Sequence, residues 1–340
     1  MDRAMRLRRI LLGTLVAVLA TAHGAAALAY TLERTASGAV QHWEGGQVVL
    51  RYGLSSFPAE DRRWAFRVLR RGAESWVQGG DADIAFGYGG AVGSTLDFED
   101  GKNTLIAVSE WPPELGDPEV TGAATFTRVE VDSGVVREAD VAFNWAGVRF
   151  GDERLARDSL DLWTVAAHEL GHLLGLGHNC DAPGAPPCTG AGPQQSAAIM
   201  FAAVSPGEAR RVPAADDIAG LQALYGPAPG PPPVARGAAE PGGYRLETEL
   251  VGPMDVAWVD ADDGRRFEAA LEGTHLATEG LPPGTYDLRV ADATGRATWI
   301  YGAVTVAPPP SPDGAAGCLG CEGAPAGAWV IGLWLWGRRP

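Results

Sequence analysis

The feature that most constrains this chain is the run His168-Glu169-Leu170-Gly171-His172, followed by His178. Two histidines four positions apart share one face when the run is helical, because a turn takes 3.6 residues. Both imidazoles can then grip one ion. The third must come from chain that has already left the helix. Gly175 and Gly177 lie on that stretch, and a glycine there tolerates the φ > 0 of a sharp exit. Three neutral nitrogens leave a fourth position open, which is the ligand set of a catalytic zinc rather than a closed structural one. Glu169, beside the first ligand, can activate a zinc-bound water. Composition alone would yield the full H-E-x-x-H-x-x-G-x-x-H spacing on the order of once in 10⁵ such chains, so the pattern is read as a site.

The sequence around the motif predicts the frame that holds it. Residues 47–52, 83–86, 104–108, 123–127 and 139–143 read as strands. Residues 58–77 read as a helix, with Trp64, Val68, Leu69 and Trp76 at helical spacing. A second helix is expected from the caps Asp158 and Ser159 through Leu174, and a third over 214–225, with Asp216 and Asp217 in its first turn and Gly226 beyond its end. The fold class is therefore α+β, a twisted sheet plus three helices over residues 30–226. A Pro/Gly-rich linker is expected over 227–243. Residues 244–307 alternate in short runs, at 244–250, 254–259, 266–271, 286–290 and 299–301, separated by turn signals such as Asp263-Gly264 and Pro282-Pro283-Gly284. They predict a small all-β sandwich, an accessory domain with no chemical constellation of its own.

The motif resembles that of the metzincin zinc endopeptidases. Met200 lies 22 residues past His178, in Ser196-Ala-Ala-Ile-Met-Phe201, and matches the family's Met-turn. The 216–226 segment is similar to the closing helix of matrixins, and the lead-in from Asp161 to His168 suits them too. The resemblance, to bacterial matrixin-like enzymes in particular, implies His168, His172 and His178 as metal ligands, Glu169 as catalytic base and Met200 beneath the metal. It also implies that Asp216 or Asp217 ties down the Met-turn. The departures are Ala202, where matrixins usually carry Pro, Asn179 after the third ligand, and an inserted loop between Cys180 and Cys188. Between residue 30 and His168 the only histidine is His42, so the second, structural zinc of animal matrixins is not expected. No cysteine precedes Cys180, so neither is a propeptide of the cysteine-switch kind.

Both ends read as address labels. Residues 1–29 combine Arg3, Arg6, Arg8 and Arg9 with an apolar core and Ala27-Leu28-Ala29, the pattern of a secretory signal peptide. Residues 308–340 read as a linker and sorting tail. Cys318 and Cys321 precede a short Trp-rich apolar run that stops at Arg338-Arg339-Pro340, which resembles the envelope-sorting tails of Gram-negative bacteria, the myxobacterial type especially. The expected location is outside the cell or anchored at its surface. Cys180 and Cys188 bracket a Pro/Gly-rich loop that they can close as a disulfide in an oxidising compartment.

With a net charge of -15 and Lys102 as the only lysine, the chain lacks the clustered cations that phosphate backbones need, and nucleic acid is excluded as a partner. The acidic loop 97–103 offers oxygen ligands that suit Ca2+, alongside the single catalytic Zn2+. The function expected is an exported zinc-dependent endopeptidase acting on proteins or peptides, with possible anchoring through the tail. The alternative is a non-catalytic envelope protein that binds other proteins through its sandwich. The matrixin resemblance implies that the chain just past Met200 walls the pocket for the residue following the cut bond. Phe201 to Val204 is apolar and predicts a bulky apolar residue there, the alternative being an acidic residue admitted by Arg210 and Arg211 at the far end.

Overall fold

The computed structural model describes residues 30–151, 157–183 and 185–309. The signal-like segment 1–29 and the tail with Cys318 and Cys321 lie outside the described residues. No described helix is long and apolar enough to cross a membrane.

The chain opens with a short strand, β1 (Thr31–Leu32), and then enters the main sheet at β2 (Gln47–Tyr52). Helix α1 (Ala59–Gly79) follows, then β3 (Ala85–Ala91), β4 (Asn103–Val108), β5 (Ala123–Val129) and β6 (Val136–Asn144). The spatial order is β3-β2-β4-β6-β5. Four strands run parallel, and β5 pairs antiparallel with β6 alone, so one of its edges is left open. Two short strands, β7 (Phe150–Gly151) and β8 (Leu160–Asp161), pair parallel and lead into α2 (Leu162–Leu173), the motif helix. The chain then passes β9 (Leu176–Gly177), a four-residue helix α3 (Pro193–Ser196) and α4 (Ala215–Tyr225).

One apolar core joins these parts. Phe66, Leu69 and Trp76 of α1 are fully buried with Leu50, Leu105, Val141 and Phe143 of the sheet and Leu162, Leu170 and Leu173 of α2. Because α2 is apolar nearly all round, it forms only as an inner helix. Its neighbour α1 is tied to it by the Trp76 indole N–H, which donates to the Ala167 carbonyl at 2.8 Å.

The second unit holds eight strands: β10 (Ala235–Glu240), β11 (Gly243–Thr248), β12 (Asp255–Asp260), β13 (Arg266–Glu268), β14 (Leu271–Glu272), β15 (His275–Ala277), β16 (Gly284–Ala291) and β17 (Ala297–Val306). They form two four-stranded sheets, β10-β11-β15-β14 and β13-β12-β16-β17. Tyr244, Leu246, Trp258, Leu276, Tyr286 and Leu288 fill the space between. This is a β-sandwich. It sits on α1 rather than hanging from a spacer. Arg70 donates to Asp287 at 2.5 Å with both side chains buried, and Glu74 accepts from the Trp299 amide and the Tyr301 hydroxyl, each at 2.8 Å.

Three expectations need correction. The cap of α2 is Asp161, not Asp158 or Ser159, because the intervening residues pair as β8 and the Asp161 carboxylate takes the Thr164 amide. The expected linker 227–243 contains strand β10, whose Ala-Arg-Gly-Ala-Ala-Glu sequence shows no apolar alternation; it is an exposed edge strand made by backbone pairing with β11. The single strand expected over 266–271 is two, β13 and β14, which belong to opposite sheets.

Candidate metal centre and cleft

Helix α2 ends at Leu173, and Gly175 with φ +95° turns the chain back so that β9 pairs with β1 and delivers His178. A Cβ at Gly175 would also lie 2.4 Å from the Gln41 carbonyl, so the turn has no room for another residue. Among the described residues, His168, His172 and His178 are the one group of three metal-ligating side chains that converge. Their Nε2 atoms stand 3.1, 3.2 and 3.1 Å apart. No hydrogen bond explains that approach of all three. A triangle of that size suits three nitrogens that would hold one zinc ion at ordinary Zn–N lengths of about 2.0–2.1 Å.

The donor chemistry agrees. His168 Nδ1 lies 2.7 Å from the Ile199 carbonyl, and His172 Nδ1 lies 2.9 Å from the Leu176 carbonyl. A carbonyl only accepts, so each ring carries its hydrogen on Nδ1 and presents an Nε2 lone pair. Burial lowers the pKa of all three imidazoles, that of His178 to about 4, and keeps them neutral near pH 7. The residues fit a catalytic zinc, and a Zn2+-binding triad is present.

Glu169 is buried, and burial pushes its carboxyl up to about 7. Only one side chain opposes that shift: the Thr125 hydroxyl of β5, which donates to Glu169 Oε2 at 2.6 Å. The acid is thus aimed from α2 toward the open edge of the sheet. Beneath the triad, Met200 is buried against Gly171, where a Cβ would lie 2.2 Å from the Met200 sulfur. The second position of the Leu-Gly pair inside the motif is therefore a packing requirement. Asp217 ties this floor down: its carboxylate accepts from the Ile199, Met200 and Ala214 amides at 2.8, 3.1 and 2.8 Å. Asp216 accepts instead from the Asn179 side-chain Nδ2 at 3.0 Å. Cys180 and Cys188 are joined by a disulfide with their Cα atoms 4.9 Å apart.

These groups open into a cleft of about 630 Å³ along the free edge of β5. Its two ends differ. Just before β5, a Cβ at Gly122 would come within 4 Å of Leu160 and Val165, and the apolar lining also includes Ile199, Phe201 and Val204. The Arg210 guanidinium also reaches it, but bonds to the Ala203 carbonyl and to Glu208. At the other end Thr127 donates to Gln41, and Glu33 lines the wall. In the acidic loop, Asp97 accepts from the Glu99 amide and Asp100 pairs with Lys102. Thr125 and Glu33 as cleft residues carry no motif that sequence alone could flag, whereas Arg210 lies at the pocket as its place past Met200 suggested; Arg211 pairs with Asp161 instead.

Comparison with known proteins decides the frame. Residues 63–226 match the family model for matrixin. This segment resembles a matrixin-type zinc-protease domain. Similar curated proteins are plant ones. Metalloendoproteinase 1-MMP of Arabidopsis thaliana is 31% identical over 149 residues, 44% of this chain and 31% of that protein. Metalloendoproteinase 5-MMP of the same plant is 45% identical over 67 residues, 20% of this chain and 15% of the relative. The chain thus spans under a third of the length of these relatives. Among solved structures, wild type OgpA from Akkermansia muciniphila overlaps 79% of this chain and 92% of its own at 15% identity with a TM-score of 0.27, too low for a fold argument.

Proposed function

We propose that the protein is a zinc-dependent endopeptidase. The observation that carries the reading is the convergence of three neutral Nε2 atoms within 3.2 Å of one another beside the buried carboxyl of Glu169. Bound at His168, His172 and His178, zinc would supply Lewis acidity toward a carbonyl oxygen and toward water. The chain's own groups do the rest. The open edge of β5 pairs with an extended peptide and lays its bond across Glu169. Glu169 takes the proton of the attacking water and passes it to the departing amine, a task suited to a carboxyl titrating near neutrality. Thr125 holds one oxygen of that carboxylate, so the other faces the reacting water. The apolar end of the cleft accepts a bulky apolar residue after the cut bond, and Arg210 adds no free charge there because Glu208 answers it.

The test is zinc content and casein cleavage by purified 30–310 protein, beside a Glu169→Ala variant. Near-stoichiometric zinc with cleavage lost in the variant supports the reading. Equal cleavage by both proteins, or a zinc-free preparation, ends it and leaves the protein-binding alternative.

We also place the mature protein outside the cytoplasm. The disulfide supports this, since reducing compartments do not keep one. If the tail resembling sorting signals anchors the protein, deleting residues 318–340 releases it into the medium; a truncated protein that stays with the envelope rules that out.

A further inference from the structure

The polar end of the cleft is built around Glu33, a residue no motif draws attention to. Its backbone is fixed on both sides. The Glu33 amide donates to the Gly175 carbonyl, and its carbonyl accepts from the Gln41 amide, both at 2.9 Å. One residue pair earlier, the Thr31 hydroxyl donates to the His178 carbonyl at 2.7 Å, so this segment is stitched to the chain that carries the third ligand. The side chain is 43% exposed and turns into the cleft.

That carboxylate has no cationic partner among the described residues. Its nearest charged neighbour is His172 Nδ1 at 3.8 Å, beyond hydrogen-bond reach, and that nitrogen is already given to the Leu176 carbonyl. A histidine holding a metal through Nε2 is neutral, so the ring itself adds no positive charge, and the ion it would hold lies on the far side of the ring from Glu33. Fully buried carboxylates of this fold do find an arginine, Asp161 with Arg211, Glu138 with Arg128 and Asp287 with Arg70, whereas Glu33 is half-exposed and keeps a face open to the cleft.

Position then sets what the carboxylate can meet. Thr125 marks the level of Glu169 on β5, and Thr127, two residues on, marks Gln41 and the Glu33 end. Two residues of strand span about 7 Å, so a peptide paired with β5 passes Glu33 about two residues from the bond under attack. The apolar end lies on the opposite side of Thr125.

We propose that Glu33 selects substrates with an arginine or lysine side chain two or three residues before the cleaved bond. This rests on the endopeptidase reading, which assigns the apolar end to the residue after the bond. A long cationic side chain reaches past the peptide edge and donates charge-assisted hydrogen bonds to the half-exposed carboxylate.

N-acetylated peptides differing only in Arg or Ala at that position test it, the acetyl group removing the terminal amine as a second cation. The Arg peptide is expected to show about fivefold higher kcat/KM, with the ratio shrinking as salt rises. Glu33→Gln should bring the ratio to about one, and Glu33→Lys should invert it toward an acidic residue. Binding of the same peptides to the Glu169→Ala variant, followed by fluorescence anisotropy, should show the same fivefold preference without turnover. If neither peptide is cleaved yet binding still discriminates, the endopeptidase reading fails and the Glu33 site stands. If wild type treats Arg and Ala alike in both assays, or Glu33→Gln keeps the preference with zinc content intact, the proposal is wrong.

Discussion

Helices α1 and α2 lie against each other, but their outward faces treat buried charge in opposite ways. On α1, Arg70 and Glu74 are answered one by one: Arg70 by Asp287, Glu74 by the Trp299 amide and the Tyr301 hydroxyl. The Arg70 guanidinium also stacks over Phe66 and Trp299, 3.8 and 4.4 Å from their ring centres. On α2, Glu169 meets no cationic side chain among the described residues, only the Thr125 hydroxyl. The first face holds a domain in place, and the second, in the proposed function, works on protons. A carboxyl paired with arginine would titrate too low to exchange a proton near pH 7, so a reactive acid must be buried without one. The same helix pair therefore carries a clamp on one side and a reactive group on the other.

The largest effect should come from the reactive side. Glu169→Ala should lower kcat/KM by roughly 10²–10⁴-fold, the usual share of a general base, while zinc content and melting temperature stay close to wild type. A large fall in melting temperature would mean that Glu169 is a structural acid, and the contrast between the faces would collapse. The clamp should behave the other way. Arg70→Ala leaves Asp287 buried and uncompensated, a change that costs about 3–5 kcal/mol in such pairs. Its melting temperature should drop by several degrees or more, while protein still folded at low temperature cleaves casein at a near-normal rate. Replacing both partners with apolar residues, Arg70→Met with Asp287→Leu, should recover much of the loss. A single variant with full stability would show that the junction is solvated and loose.

The two faces also differ in how much of them the sequence exposes. The zinc triad, Glu169 and the following Met200 are readable because one helix and its exit impose fixed spacings on them. The strands of the main sheet are readable because their apolar runs are continuous. The clamp is not, since Arg70 and Asp287 stand 217 residues apart and nothing in a solvated-looking Arg-rich helix announces a partner. Thr125 and Glu33 are hidden for a similar reason: their roles come from where β5 and β1 lie relative to α2. Strand β10 is missed because an edge strand needs backbone partners and no apolar pattern. The cap of α2 is misplaced by three residues or fewer because several good capping residues precede it, and only pairing of β8 chooses Asp161.

Asp217 sits between the extremes, since it is buried without a cation yet has a mechanical task. Its three amide donors resist the effect of burial, which still raises its carboxyl to about 6. Asp217→Asn can satisfy only part of that set and turns an N–H toward N–H groups, so about 1–3 kcal/mol should be lost. Because Ile199 also receives the His168 Nδ1 hydrogen, zinc affinity should weaken as well. Unchanged zinc affinity, measured by competition with a chelator, would show that the Met-turn holds its shape without this anchor.

A pH-dependent effect tests whether an unpaired buried carboxyl is tolerated only where it reacts. Asp140 on β6 is buried in the sheet, with Oδ1 accepting the Thr104 amide at 2.7 Å and Oδ2 without a hydrogen-bond partner. Burial pushes its carboxyl up to about 7, and Glu138, Asp100 and Asp97 nearby push the same way. Its pKa in the unfolded chain is the ordinary one near 4. The folded protein therefore binds this proton more tightly, and stability falls as pH rises from about 4 through 7. Asp140→Asn keeps the acceptor for Thr104 and removes the charge. Wild type and variant should melt at similar temperatures near pH 4, and the variant should gain steadily until about pH 8. A constant difference across that range would mean that Asp140 does not titrate there. A variant that loses ground as pH rises would mean that the ionised carboxylate has a partner after all, and that this fold pairs every buried acid except Glu169 and those beside it.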